Sequence, residues 1–362
     1  MLAKTFLMAG GGTGGHVIPA LAVARELVAR RHAVVFFGTK RGIESRLVTS
    51  AGFPIEWIEI GGLKRVGLRQ TLITLRQLPV GTLQVMRWID RNRPAAVFSM
   101  GGYAAAPTVL AALLRRIPVV AMEPNALPGA TNKWLARFAA CTLISFPETS
   151  IYFPKGKTEV TGLPVRQEFF DLPTRPPGDE FNVLVTGGSH GSRTLNEASR
   201  SSWPFFQRAG FKIHFRLQCG AARQPQLAEE FSKTGLHGEV VGFIDAMPKA
   251  FGMADLVVCR SGAGAVAEVA AAGKPSILVP FPFAADDHQL RNAEAMERGG
   301  AASLVQDKDM NGEKLFRMVT ELAANPGQLL RMSEAARRFA RPGAANRAVD
   351  ILEKVASPPN WH

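Results

Sequence analysis

The chain has 362 residues, 46% of them hydrophobic and 20% charged, and 43 Lys and Arg against 30 Asp and Glu give a formal charge of +13. That length suits two domains of about 150–200 residues rather than one core, and the composition excludes a disordered or collagen-like chain despite 35 glycines. Residues 1–166 hold 21 Lys and Arg against 8 Asp and Glu while the remainder balances at 22 against 22, so the first half is expected either to be merely soluble or to meet an anionic partner.

In chain order, residues 5–9 form a short apolar run that reads as a buried strand. It passes into Gly10-Gly11-Gly12-Thr13-Gly14-Gly15, after which Ile18, Leu21, Ala22, Ala24 and Leu27 recur at helical spacing. Residues 34–37, 95–99 and 118–122 read as later strands. The second half repeats the device: 181–186 runs into Gly187-Gly188-Ser189-His190-Gly191-Ser192 and a helix, with further strands at 213–217, 256–259 and 276–280. Short apolar strands alternating with helices predict parallel, doubly wound sheets, α/β in class. The proline-rich stretch 172–178 can continue neither a helix nor a central strand and sets the hinge at or just before it. Two sheets joined in this way predict a cleft faced by the carboxyl ends of the strands. The apolar run 104–114 is far short of the roughly 20 residues that span a bilayer, and residues 6–9 make no signal-peptide core. Cys141, Cys219 and Cys259 are odd in number and scattered, which fits a reduced, cytosolic protein and neither a disulfide framework nor a zinc site.

Three loops carry chemistry. Gly10-x-Gly12-x-x-Gly15 has the dinucleotide spacing, but the second strand ends Gly38-Thr39-Lys40 with no acid for ribose until Glu44. Gly273-Lys274 is followed by Pro275, so a Walker loop is excluded as well. The remaining role of such loops is general: bare backbone N–H groups at a helix start approach an anion. Gly187-Gly188-Ser189 is the second loop, and residues 260–268 form the third, where small residues at a helix start suit a diphosphate. Glu268, one turn into that helix, either accepts ribose hydroxyls or is a solvated or capping residue. His16 follows the first loop, as a general base or as a structural histidine. Asp286 and Asp287 are expected to cap the helix through Asn292 and Ala293, and no His, Cys and carboxylate cluster has metal spacing. Lys64, Arg65, Arg69, Arg76, Arg87, Arg91 and Arg93 are interleaved with Leu72, Ile73, Leu75, Leu78, Val80, Leu83, Val85, Met86 and Trp88, and Arg115-Arg116 follows. This stretch reads as a core-facing helix, an interfacial membrane patch, or both.

Together, residues 10–20, Gly101-Gly102-Tyr103, Thr131-Asn132, Pro164-Val165-Arg166, Gly187-Gly188-Ser189, Arg260-Ser261-Gly262-Ala263 and Asp287-His288-Gln289 with Asn292 resemble, end to end, the MurG family of bacterial N-acetylglucosaminyltransferases that make lipid II from lipid I. The resemblance implies a GT-B fold of two Rossmann-like domains: an acceptor and membrane-facing one at 1–164, on which a C-terminal helix at about 342–362 packs, and a UDP-sugar-binding one at 165–341. It implies UDP-N-acetylglucosamine held by Ile244 at the uracil, Glu268 at the ribose, and Ala263, Gly264, Ala265, Val266 and Ala267 at the diphosphate. Arg166 and Ser189 join on the nucleotide side and Asn125 and Gln289 at the sugar. Thr13, Gly14, Gly15 and catalytic His16 come from the other domain. It further implies an inverting β-1,4 transfer without cofactor or protein-bound metal, lipid I as acceptor, anionic lipids of the cytoplasmic leaflet as partners, a peripheral place on the inner membrane, and no nucleic acid. The chain departs from the family at Gly264-Ala265, where Ser-Thr or Leu-Thr is usual, at Pro124, where Gln is common, and at Leu163, where Asn is common. A UDP-sugar 2-epimerase or a natural-product glycosyltransferase would share the fold, and the basic apolar stretch speaks against both. A silent binding module would account for the charge alone.

Overall fold

A computed structural model describes residues 3–11, 14–61, 68–173 and 178–357, with residues 68–75 and 285 described by backbone alone. The chain divides into two compact units, Met1–Val165 with Gly343–His362, and Arg166–Pro342. The first contains β1 (Thr5–Gly10), β2 (Ala33–Gly38), β3 (Ile55–Trp57), β4 (Ala96–Gly101), β5 (Val119–Glu123), β6 (Cys141–Ile144) and β7 (Thr158–Val160). All pair in parallel, in the order β3-β2-β1-β4-β5-β6-β7. The second contains β8 (Phe181–Thr186), β9 (Ile213–Gln218), β10 (His237–Val241), β11 (Leu256–Cys259), β12 (Ser276–Leu278) and β13 (Ala302–Leu304), also parallel, in the order β10-β9-β8-β11-β12-β13.

A strand covered on both faces has no polar side to alternate with, which is why β1 and β4 read as unbroken apolar runs and are buried almost throughout. In each sheet the strand order reverses beside the first strand, between β1 and β4 and between β8 and β11. Loops leaving the carboxyl ends there diverge, and the crevice at such a switch point is where doubly wound sheets hold ligands. The loops at those four ends are the glycine run after Gly10, the pair Gly101-Gly102, the Gly187-Gly188 turn, and Ser261-Gly262.

The last helix, Ala344–Val355, belongs to the first unit and packs on helix Gly14–Ala29 through Ala348, Val349 and Leu352. Arg30 binds Asp350 at 2.6 Å and Glu353 at 2.9 Å, and His32 Nε2 meets Glu353 at 2.9 Å. Of the basic apolar stretch, residues 64–67 lie outside the described residues. The helix Leu68–Asn92 is double-faced: Val85 and Ile89 are buried in the core, while Val80 and Leu83 are exposed. Among the described residues no helix is long and apolar enough to cross a membrane.

Candidate active site

In the first unit, helix Gly14–Ala29 begins at the end of the glycine run and carries Gly14, Gly15 and His16 in its first turn. Thr13, named from the sequence, lies outside the described residues. The His16 ring is half-buried, and its Nδ1 lies 3.3 Å from the Gly11 carbonyl oxygen. A carbonyl only accepts, so this contact makes Nδ1 the protonated nitrogen and Nε2 the basic one. Gly102, at φ +79°, runs past the same ring; a Cβ there would stand 3.6 Å from Cε1. Its neighbour Gly101, at φ +76°, is pressed so closely on Asn132 that a Cβ would come within 2.4 Å of Oδ1.

Asn125 sits beside this group through a buried acid, Glu123, the alternative base should His16 prove dispensable. Glu123, at the end of β5, is only 1% exposed. Its carboxylate accepts four N–H bonds: from the Asn125 amide and side chain, both at 3.0 Å, from Gly129 at 3.1 Å and from Asn132 Nδ2 at 2.9 Å. Burial pushes this carboxyl upward in pKa, and the four donors oppose that shift. Glu123 is thus a hub that ties Asn125 to Asn132, and through Asn132 to the glycine pair beside His16.

In the second unit, helix Ala263–Ala272 starts at Gly262 with no side-chain cap and no acid in its first turn, leaving its first N–H groups to the backbone and solvent. The segment Ala263, Gly264, Ala265, Val266 and Ala267 is its first turn and a half; a Cβ on Gly264 would meet nothing within 4 Å. Glu268 is half-buried, and desolvation pushes its carboxyl up to about 7 against the pull of Arg166. Arg166 is exposed, with its guanidinium 5.2 Å from the Phe169 ring centroid. Cys259, beneath the same helix, is fully buried with its thiol pushed up to about 12, which leaves it without nucleophilic character.

The remaining predicted residues are held by partners the sequence did not reveal. Ser261 is buried and donates its hydroxyl to the Gln289 carbonyl at 2.8 Å, and Asn292 Nδ2 donates to the Ser261 carbonyl at 3.1 Å. Gln289 Oε1 accepts the Phe281 amide at 3.0 Å, and a Cβ on Gly262 would lie 3.8 Å from Gln289 Nε2. Ser189 is exposed and bonds His190 Nδ1 at 3.2 Å. Gln218, at the end of β9, joins two loops: its Nε2 donates to the Gly188 carbonyl at 2.8 Å, and its Oε1 accepts the Ile244 amide at 2.8 Å. Ile244 is itself buried and lines a cavity of about 460 Å³ with Phe243, Asp245 and Lys249, a cavity that reaches none of the other predicted residues. Arg260 donates to the carbonyls of Val279 and Pro280 at 3.0 and 3.1 Å and pairs with Asp307. Asp287 stands at the N-cap of the helix His288–Arg298 but does not cap it through its side chain as expected. Asp286 and Asp287 both adopt left-handed backbone, φ 53° and 52°. Among the described residues no group of three His, Cys, Asp or Glu could hold a metal ion.

The glycosyltransferase family 28 N-terminal domain matches residues 6–144 and the family 28 C-terminal domain matches residues 182–354. A UDP-N-acetylglucosamine–N-acetylmuramyl-(pentapeptide) pyrophosphoryl-undecaprenol N-acetylglucosamine transferase of Solibacter usitatus (strain Ellin6076) is 59% identical, over 98% of this chain and 97% of that one. The crystal structure of Acinetobacter baumannii MurG is 34% identical and superposes with a TM-score of 0.81, over 97% of this chain and 99% of that one. A Neisseria meningitidis UDP-GlcNAc 2-epimerase covers 97% of this chain and 100% of its own at 15% identity, TM-score 0.67, a likeness of fold alone.

Proposed function

The chain belongs to glycosyltransferase family 28, among the MurG N-acetylglucosamine transferases, and from that membership we infer how its two units share the reaction. It moves N-acetylglucosamine from UDP-N-acetylglucosamine onto lipid I, giving lipid II for peptidoglycan, and the observation that carries this activity is the 59% identity along nearly the whole chain.

The second unit takes the donor. The uncapped start of helix Ala263–Ala272 offers N–H groups to the diphosphate, Glu268 accepts the ribose hydroxyls, and Arg166 supplies positive charge beside them. Ile244 serves the uracil, Ser189 the nucleotide side and Gln289 the sugar, and Asn125 of the first unit joins Gln289 at the sugar. The first unit supplies the acceptor side with Thr13, Gly14, Gly15 and His16. In the reaction the muramoyl 4-hydroxyl forms a bond to the anomeric carbon as the bond to UDP breaks. UDP leaves with the electron pair, the α donor gives a β product, and His16 Nε2 takes the hydroxyl proton. The departing diphosphate is stabilised by the helix start and Arg166.

The first unit also faces anionic lipid of the cytoplasmic leaflet, making the enzyme peripheral to the inner membrane. Exposed Val80, Leu83 and Leu114 stand near exposed Arg76, Arg87 and Arg91, although Arg115 is partly neutralised by Asp90 at 2.6 Å. A second cluster supports the same reading: Trp134 packs on Phe138 at 5.2 Å, Lys133 lies 4.8 Å from the exposed Tyr152 ring beside Ile151, and Lys157 bonds the Arg137 carbonyl at 3.2 Å. Aromatic and aliphatic side chains rimmed by cations suit a headgroup boundary. The test is an assay with radiolabelled UDP-N-acetylglucosamine and a lipid I analogue. Label transferred to the lipid is expected, and free N-acetylglucosamine or epimerised nucleotide without lipid product would refute the assignment.

A further inference from the structure

We propose that Glu44 is a positioning residue, holding the first glycine loop so that His16 presents Nε2 to its proton; this rests on the reading of His16 as base. Glu44 opens the short helix Glu44–Ser50 after β2 and is only 1% exposed. A carboxylate so deep is retained only with bonded partners. Its Oε1 accepts the Thr39 amide at 2.9 Å and the Thr39 hydroxyl at 2.7 Å.

The backbone is fitted around this side chain. A Cβ added at Gly11 would come within 2.6 Å of the Glu44 carboxyl group, one at Gly42 within 2.0 Å, and one at Gly38 within 2.7 Å of its Cγ. Contacts that short do not occur for real side chains, so three glycines admit one carboxylate. One of the three, Gly11, owns the carbonyl oxygen that meets His16 Nδ1 at 3.3 Å. Glu44 therefore packs directly against the residue whose carbonyl selects the His16 tautomer. Tyr103, next to the Gly101-Gly102 pair that borders His16, has its phenol raised in pKa by burial first and by the charge of Glu44 second, so the carboxylate acts on the same corner.

Position in the sheet sharpens the argument. In doubly wound sheets that bind dinucleotides, an acid following the second strand reaches outward to ribose hydroxyls. Here the acid after β2 is turned inward and engaged by Thr39 and the glycine loop. The same topological post has been given to fixing a loop instead of a nucleotide.

The test is a double-variant cycle on the full-length enzyme with UDP-N-acetylglucosamine and a lipid I analogue. Glu44→Gln keeps the shape and an accepting oxygen but removes the charge. It should lower kcat about tenfold or more, since displacing a catalytic group by a fraction of an ångström is costly, while donor affinity measured by calorimetry stays within about twofold. In a His16→Ala background the same substitution should change kcat by less than about twofold, because the group it positions is gone. If Glu44→Gln does not fold, Thr39→Val, which removes the hydroxyl donor to Oε1 and the acceptor of the Gly42 amide but keeps the Thr39 amide bond, goes through the same cycle. It is expected to give a smaller loss that likewise vanishes with His16→Ala. A normal rate for the foldable variant, or a loss that multiplies undiminished onto a slow His16→Ala enzyme, overturns the role of Glu44 and leaves His16 as base. A near-normal rate for His16→Ala alone overturns both.

Discussion

Burial pushes the Glu268 carboxyl up to about 7, so in the empty site it titrates near neutral pH. Ribose hydroxyls donated to an ionised carboxylate favour the charged form, so donor binding and protonation compete. Affinity for UDP-N-acetylglucosamine, whose diphosphate is a diester that does not titrate there, is expected to be highest above pH 7. It should fall as pH drops through 7, by at most about tenfold per unit. Calorimetry across the neutral range checks the sign, and a flat wild-type profile would exclude the ionised carboxylate as acceptor. Glu268→Ala should weaken binding by about 1.5–3 kcal/mol, the range of charge-assisted bonds, and Glu268→Gln should flatten the profile. For His16 the expectation differs in kind: His16→Ala should bind donor normally and turn over at least about 10²-fold slower, because a general base acts only in the transition state. Loss of stability and donor affinity together would instead mark the ring as packing for the glycine run. Glu123 is a poor substitute base, since its carboxylate already accepts four N–H groups.

The strands that open each unit were legible because burial on both faces forces continuous apolar runs, as in residues 5–9 and 181–186. The short outer strands were not. β3, β7 and β13 have three residues each, and β10 is mostly exposed, so none has a run long enough to show a period. The glycine loops and His16 could be read locally, whereas their supports could not. Glu44, Gln218 and Glu123 are polar residues whose partners are brought to them by the fold, and a sequence shows no such pairing. The side-chain cap expected of Asp287 is missing in a residue that turns left-handed just before the helix begins. Gln218 gives the element-scale prediction. Its single amide spans the turn after β8 and the loop after β10, so Gln218→Leu strands the Ile244 amide, while the exposed Gly188 carbonyl still accepts the Gly191 amide at 2.9 Å. A destabilisation of about 1–3 kcal/mol is expected from the one buried amide left unsatisfied, with weaker UDP binding on the proposal that both loops serve the donor. Thermal denaturation and UDP titration together decide it, and intact binding in a destabilised variant would separate the loops from the nucleotide.

At the scale of the whole molecule, the excess charge lies in the unit that also holds most of the exposed large apolar groups among the described residues, although Phe243, Met253, Phe281, Phe283 and Leu330 of the second unit are exposed as well. Residues 1–166 carry 21 cations against 8 anions, and Val80, Leu83, Leu114, Trp134, Phe138, Ile151 and Tyr152 are all exposed within that span. A solubility role would explain the cations but not the aromatic groups beside them, because exposed rings lower solubility. A headgroup surface explains both: cations gain about 1 kcal/mol each near anionic lipid, within a Debye length, and apolar side chains enter the boundary. Sedimentation with vesicles is therefore expected to show binding to anionic lipid that drops steeply as salt rises, with weak binding to neutral lipid. The two clusters can be told apart. Replacing Arg87 and Arg91 should reduce the salt-sensitive part, whereas Trp134→Ala with Ile151→Ser should reduce the binding that persists at high salt. Trp134 also gives a direct optical reading, since entry of its ring into the boundary should shift its emission to the blue on addition of anionic vesicles, and the shift should vanish in Trp134→Phe. Equal binding to neutral and anionic vesicles would remove the electrostatic part of this reading. Unchanged emission would remove the second cluster from the lipid surface while leaving the first in place.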